Sequence, residues 1–296
     1  CGLCTAVCPT SSLQRAFLPD DELRASVVAA VSPGRPLLVI GEHHALEIAR
    51  AEADGWGVLP LPSVLILDVT ALVTAHLAEA SSIVVAGCSE CHHDALDRVE
   101  VAAQAAGALV GRHAVTLIAD LAADGFGAAV ADLVSAPFEA RTVRLLPSDL
   151  PAVGASRRAA LDHLLSSQSA VASGDGVVAG FGHVTVDEAD CTLCGACTRA
   201  CPTGAVAFDG SAGVLAARDL DCVACGMCVT ACPERVLHLE PAPAATMLVR
   251  RELIVDEVVS CVKCGGPHLP ARLLAHARTV VAASARPPTQ ASRQLD

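Results

Sequence analysis

The sequence predicts two folded parts. One is an α/β domain on an open, doubly wound parallel sheet; the other is a smaller α+β domain organised by cysteines. Three observations predict them. From about residue 35 to 150, apolar runs of five or six residues alternate with amphipathic stretches of ten to fifteen, the pattern of βαβ units. From 183 to 241, two blocks about 31 residues apart each carry a cysteine run, a proline and a short apolar segment. The glycine-rich "SGDGVVAGFG" (173–182) stands between the two regions and reads as a linker.

The bulk numbers are compatible with this division. A chain of 296 residues suffices for two cores, and 53% hydrophobic with 18% charged residues is a globular composition. Aromatics make up 2%, so Ala, Val and Leu must fill those cores. No run of 18 apolar residues exists, which argues against a membrane span. A net charge of -12 with 20 basic residues argues against nucleic-acid binding. The 15 cysteines fall into tight C-x2-C groups, which suits metal ligation in a reducing compartment, so a cytoplasmic protein is expected.

Taken in order, residues 1–18 open with "CGLCTAVCP". Cys1, Cys4, Cys8 and Pro9 have the spacing of the last three-quarters of C-x2-C-x2-C-x3-C-P, so a further cysteine is expected upstream in a longer protein. There Cys1 and Cys4 would serve one cluster and Cys8 its neighbour; in this chain no intact cluster is expected on them. A lipidated N-terminal cysteine would leave Cys4, Cys8 and Pro9 unexplained. Residues 19–150 hold the α/β domain. Its strand candidates are "PLLVI" (36–40), "GVLPLP" (57–62), "SIVVAG" (82–87), "AVTLIAD" (114–120) and "RTVRLLP" (141–147). Helices are expected over 43–53, 66–80, 92–107 and 124–134. Residues 151–182 supply a helix over 156–168 and the linker. Residues 183–241 form the cysteine domain, and 242–296 a tail with one more C-x2-C. Its closing "ARPPTQASRQLD" has a disordered composition.

The cysteine domain carries the strongest chemistry. Cys191, Cys194, Cys197 and Cys201 follow C-x2-C-x2-C-x3-C-P, as do Cys222, Cys225, Cys228 and Cys232. Three cysteines on a tight loop can wrap a corner of a [4Fe-4S] cube, while the fourth, beside a proline, points to the opposite cube. One cluster is therefore assigned to Cys191, Cys194, Cys197 and Cys232, and a second to Cys222, Cys225, Cys228 and Cys201. Gly195, Ala196 and Gly226 are small enough to let backbone N–H groups approach the sulfurs. A pair of zinc sites is the rival, since four thiolates also suit zinc. "GSAGVLAARD" between the runs reads as a connecting turn. On these motifs residues 183–240 resemble a bacterial two-cluster ferredoxin domain. The resemblance implies one-electron transfer with no substrate pocket, general base or nucleophile of its own.

Two further groups are ambiguous. "GEHH" (41–44) follows the first strand and "GCSECHHD" (87–94) the third. Ligands of open parallel sheets bind outside the carboxyl ends of the strands, where Glu42, His43, His44, Cys88, Cys91, His92 and His93 could converge. This stretch resembles the delta subunit of methyl-viologen-reducing hydrogenase, which holds a [2Fe-2S] cluster through cysteines that include a pair after its first strand. Here His43 and His44 stand in that region. Three readings stay open: a metal-free surface, a zinc or [2Fe-2S] site at Cys88 and Cys91, and a reactive thiol pair at a helix N-terminus. "SCVKCGGPHLP" adds Cys261 and Cys264, with His268 nearby, half of a zinc site. Structural zinc, an extra cluster contact and a free pair all fit it.

The whole order resembles the large 4Fe-4S proteins found alongside bacterial formate dehydrogenases. It implies an electron-transfer subunit working with a partner redox protein, a formate- or hydrogen-linked dehydrogenase. A non-redox assembly or structural partner is the alternative. No G-x-G-x-x-G follows the first strand, which counts against a nucleotide-binding reductase.

Overall fold

The computed structural model describes residues 13, 16–87, 96–111, 115–118, 145–153, 155–167 and 176–284. The chain divides into two units that interleave in sequence. The first comprises Cys1–His183, Asp219–Ala224 and Pro241–Val249; the second comprises Val184–Arg218, Cys225–Glu240 and Arg250–Asp296.

The first unit is built on four parallel strands: β1 (Leu37–Gly41), β2 (Gly57–Leu61), β3 (Ile83–Ala86) and β4 (Val115–Ile118). Their order is β2-β1-β3-β4, with Leu37 opposite both Gly57 and Ile83. Alternation sends side chains to two faces. Leu37, Val39, Ile83 and Val85 join the larger core, which takes in α1 (Asp20–Ala30), α3 (Val69–Leu77), α4 (Leu96–Val110) and α5 (Arg157–Ser166). Leu38, Ile40, Val84 and Ala86 pack on the other face with Ile48 and Ala51 of α2 (Ala45–Ala53) and with Trp56. Helices thus cover both faces of the sheet.

Local signals set these elements. Helix α3 starts at Asp68, whose carboxylate accepts the Ala71 N–H at 2.9 Å, the usual N-cap arrangement. The other Asp68 oxygen lies 3.1 Å from Arg157 Nε, which also meets Asp20 at 2.8 Å, so one guanidinium ties α1, α3 and α5 together. Buried ion pairs of this kind fix geometry more than they add stability.

Several expectations shift. Helix α1 was not among the predicted elements, yet Leu23, Val27 and Val28 lie on its buried face. The predicted helix over 124–134 lies outside the described residues, as do 141–144 of the predicted fifth strand. Of the rest of that strand, Leu145 is buried and Pro147–Asp149 is a 3-10 turn. The linker reading of 173–182 gives way over its second half. Val177–Val186 is strand β5, with Val178 and Phe181 buried in the first unit's core. Its apolar residues outweigh its glycines.

The second unit contains two short helices, α6 (Ala196–Ala200) and α7 (Met227–Ala231), which pack on each other. Strands β6 (Val206–Asp209), β7 (Val214–Arg218) and β9 (Arg250–Val255) make an antiparallel sheet with β7 central. Strand β8 (Leu237–Pro243) pairs with β5. "GSAGVLAARD" is therefore a turn only at its start. The Asp209 carboxylate accepts the Ser211 and Ala212 N–H groups, and the chain then enters β7 with Leu215 and Ala217 buried. The tail adds a hairpin, β10 (Val258–Ser260) and β11 (Pro267–Pro270), and helix α8 (Ala271–Ser284). "ARPPTQASRQLD" lies outside the described residues.

Candidate functional site

The two cysteine runs fold alike. Leu193, Gly195 and Gly204 take positive φ (54°, 70° and 71°), and so do Ala224, Gly226 and Arg235 (52°, 72° and 57°). Each position recurs 31 residues on, as 224 − 193, 226 − 195 and 235 − 204 show. The repeat is thus a repeat of backbone shape. Each run is a loop with left-handed kinks, then a one-turn helix that starts after a glycine and ends at the fourth cysteine.

In the second unit, four cysteines line one pocket: Cys191 and Cys194 on the first loop, Cys197 on α6, and Cys232 at the end of α7. The pocket's other walls are largely apolar, with Leu193, Phe208, Leu215, Val236 and Leu237. Burial pushes the Cys191 thiol up, as do Cys194 and Cys232, while the Leu193 N–H and the Arg272 guanidinium act against it. Burial pushes Cys197 up to about 11, with Cys191 and Cys194 adding to it against the Thr198 N–H and its own.

Cys201 has the opposite balance. Burial raises it, but the Val206 N–H, the Thr203 hydroxyl and the N–H groups of Thr203 and Ala205 outweigh burial and hold it below the ordinary thiol range. Cys201, Cys225 and Cys228 belong to the second unit. Cys222 belongs to the first, where its N–H donates to the Asp219 carbonyl at 3.0 Å. None of the eight is in a disulfide.

This donor set suits a polynuclear cluster better than a lone ion. A single zinc would bring four sulfurs within about 4 Å of one another. No three His, Cys, Asp or Glu side chains among the described residues converge to hold one ion. Thiolates spread around a pocket with N–H groups aimed at them are what the corners of a cube require.

Residues 183–233 match the model of the 4Fe-4S dicluster domain. A second 4Fe-4S dicluster model matches residues 159–205 and shares the first cysteine run with the other. The chain carries an iron–sulfur domain of ferredoxin type. No curated protein matches the chain.

The remaining predicted sites divide in two. Cys1, Cys4, Cys8, Cys88, Cys91, His92 and His93 lie outside the described residues. Of the strand-end group, Gly41 closes β1 opposite Leu61 of β2, the Glu42 N–H donates to the Leu61 carbonyl, and the His43 and His44 rings lie 4.1 Å apart. Cys261 and Cys264 sit in the loop of the β10–β11 hairpin, away from any third ligand among the described residues. Sequence reasoning missed Arg272, whose charge acts on Cys191 from a position 81 residues away (272 − 191). It also missed the pairing of His183 with Asp219 at 2.7 Å and of Thr246 with Asp219 at 2.6 Å. None of these pairs has a local sequence signal.

No helix among the described residues is long and apolar enough to cross a membrane.

Proposed function

We propose that this chain is an electron-transfer protein or subunit holding two [4Fe-4S] clusters. Cys191, Cys194, Cys197 and Cys232 hold one; Cys222, Cys225, Cys228 and Cys201 hold the other. It passes single electrons between a partner dehydrogenase, formate- or hydrogen-linked, and another acceptor in the reducing cytoplasm. The supporting observation is Cys232. It comes from the second run and lines the same pocket as the first three cysteines of the first run, the exchange that a dicluster loop pattern requires.

When bound, each cluster supplies reversible one-electron transfer. The protein's own part is to prepare the site. The apolar walls limit water, and the N–H groups of Leu193 and Thr198 and the Arg272 charge stabilise negative sulfur. Ahead of this domain, the four parallel strands with helices on both faces are read as a doubly wound docking domain.

Iron and sulfide analysis of the anaerobically reconstituted chain tests this reading. It should find about eight irons per chain. Cys232→Ala should lose the cluster of the first run and leave about four. Bound zinc with iron near zero would overturn the assignment. Co-purification from the native host, followed by reduction with formate or hydrogen, tests the partner.

A further inference from the structure

The electron-transfer reading leaves the tip of the β10–β11 hairpin unused. Val258 pairs with Pro270 and Val259 with Leu269, and residues 261–266 form the connecting loop. Two backbone hydrogen bonds close it, from Gly265 N–H to the Cys261 carbonyl and from Cys261 N–H to the Gly266 carbonyl, both at 2.8 Å. Gly265 takes φ +71°, which a side chain would resist. The N–H groups of Lys263 and Cys264 donate to the Cys261 sulfur, and the Cys264 side chain lies within hydrogen-bond reach of it. Gly266 runs close to the other sulfur, for a Cβ there would lie 3.7 Å from Cys264 Sγ. The loop therefore presents two sulfurs side by side with backbone donors aimed at one of them.

Two thiolates are half of a tetrahedral zinc site. The other half is missing among the described residues. No third His, Cys, Asp or Glu converges there, and the other eight described cysteines all belong to the ferredoxin runs. The loop is also open, with Val262 fully exposed and Lys263 and Cys264 exposed. An isologous dimer repeats each contact across its axis, so two such loops facing each other supply four sulfurs. Helix α8, which follows β11 directly, exposes Val280 and Val281 (51% and 67%), apolar surface on the same arm for a second copy to cover.

We propose that Cys261 and Cys264 form half of a zinc site that the same two cysteines of a second copy of this chain complete. Four thiols lose four protons and bind one Zn²⁺, leaving a complex of charge −2. The two Lys263 side chains, one from each copy, together supply +2 next to the ligands in sequence.

The experiment uses the full chain with its iron–sulfur clusters reconstituted, titrated with zinc sulfate. Zinc per chain, the zinc-edge X-ray absorption spectrum and the sedimentation coefficient are read together. The expected result is one zinc per two chains, four sulfur neighbours at about 2.3 Å, and a dimer that a zinc chelator reverses. Cys264→Ser should lose that zinc and the dimer while keeping the parent's iron content, which shows that it folds. No zinc beyond that bound by Cys264→Ser, one zinc per monomeric chain, or a dimer untouched by the substitution would each overturn the proposal. Iron content reports separately on the electron-transfer reading, so the two can fail independently.

Discussion

Cys197 shows how burial ties a pocket thiol's protonation to stability. Its thiol is held at about 11, by burial first and by Cys191 and Cys194 next, against an ordinary value of 9.0. Below pH 9 the thiol is protonated in both the folded and the unfolded cluster-free chain, and stability is unaffected. Between about 9 and 11 the unfolded chain releases the proton while the folded chain keeps it, so stability falls as pH rises. Thermal unfolding of the cluster-free chain should show a falling midpoint across that window. Cys197→Ala should reduce the slope, and a flat parent profile would refute the account. Gly204 makes a second case. Its φ of +71° has open space around it, so an added methyl meets strain and no clash. Gly204→Ala should cost about 1 kcal/mol of stability, read by denaturant titration, with iron content unchanged. The matching residue of the second run, Arg235 at φ 57°, already carries that strain.

At the scale of elements, Asp219 joins three segments of the first unit. Its fully buried carboxylate meets His183 Nδ1 at the end of that unit's share of β5 and accepts the Thr246 hydroxyl from the 3-10 turn after β8. Asp219→Ala would take away the carboxylate that His183 Nδ1 meets and leave the Thr246 hydroxyl with the Pro243 carbonyl, 3.0 Å away, in a part-buried setting. It should destabilise the chain by about 3 kcal/mol, while Thr246→Val should cost less. Thermal melts of the two variants check the order. None of this network was legible in sequence, because its members stand 36 and 27 residues apart and a lone His, Asp or Thr has no pattern. The parallel strands were legible for the opposite reason. "PLLVI" and "SIVVAG" are compact β-branched runs, buried on both faces, and they appear within a residue or two as Leu37–Gly41 and Ile83–Ala86. Strand β7 hid behind flanking glycines and alanines, and β5 behind Gly180 and Gly182. In both, burial of a few side chains decided the element, and burial depends on partners that the local sequence does not name. The cysteine spacing could be read directly, since a C-x2-C loop is a local geometric demand. Arg272 beside Cys191 could not.

Across the whole molecule, the interleaving of the two units has a consequence for cutting the chain. Leu220, Ala242, Ala244 and Met247 stand in sequence among the residues of the iron–sulfur region or just after it. All four are fully buried in the core of the first unit. That same core receives Val178 and Phe181, while Arg158 of α5 donates to the Leu220 carbonyl and its guanidinium lies 5.6 Å from the Phe181 ring centre. Removing everything after residue 182 would strip those four side chains and leave their pockets open. Their burial corresponds to on the order of 5 kcal/mol, a large share of the stability of an ordinary domain. Residues 1–182 expressed alone should therefore unfold at a clearly lower temperature than the full chain and bind a hydrophobic dye before unfolding. A cut after residue 249 keeps the segments Asp219–Ala224 and Pro241–Val249 and should retain most of the first unit's stability. If residues 1–182 melt as the full chain does, with no dye binding, these segments are dispensable and the α/β core closes without them.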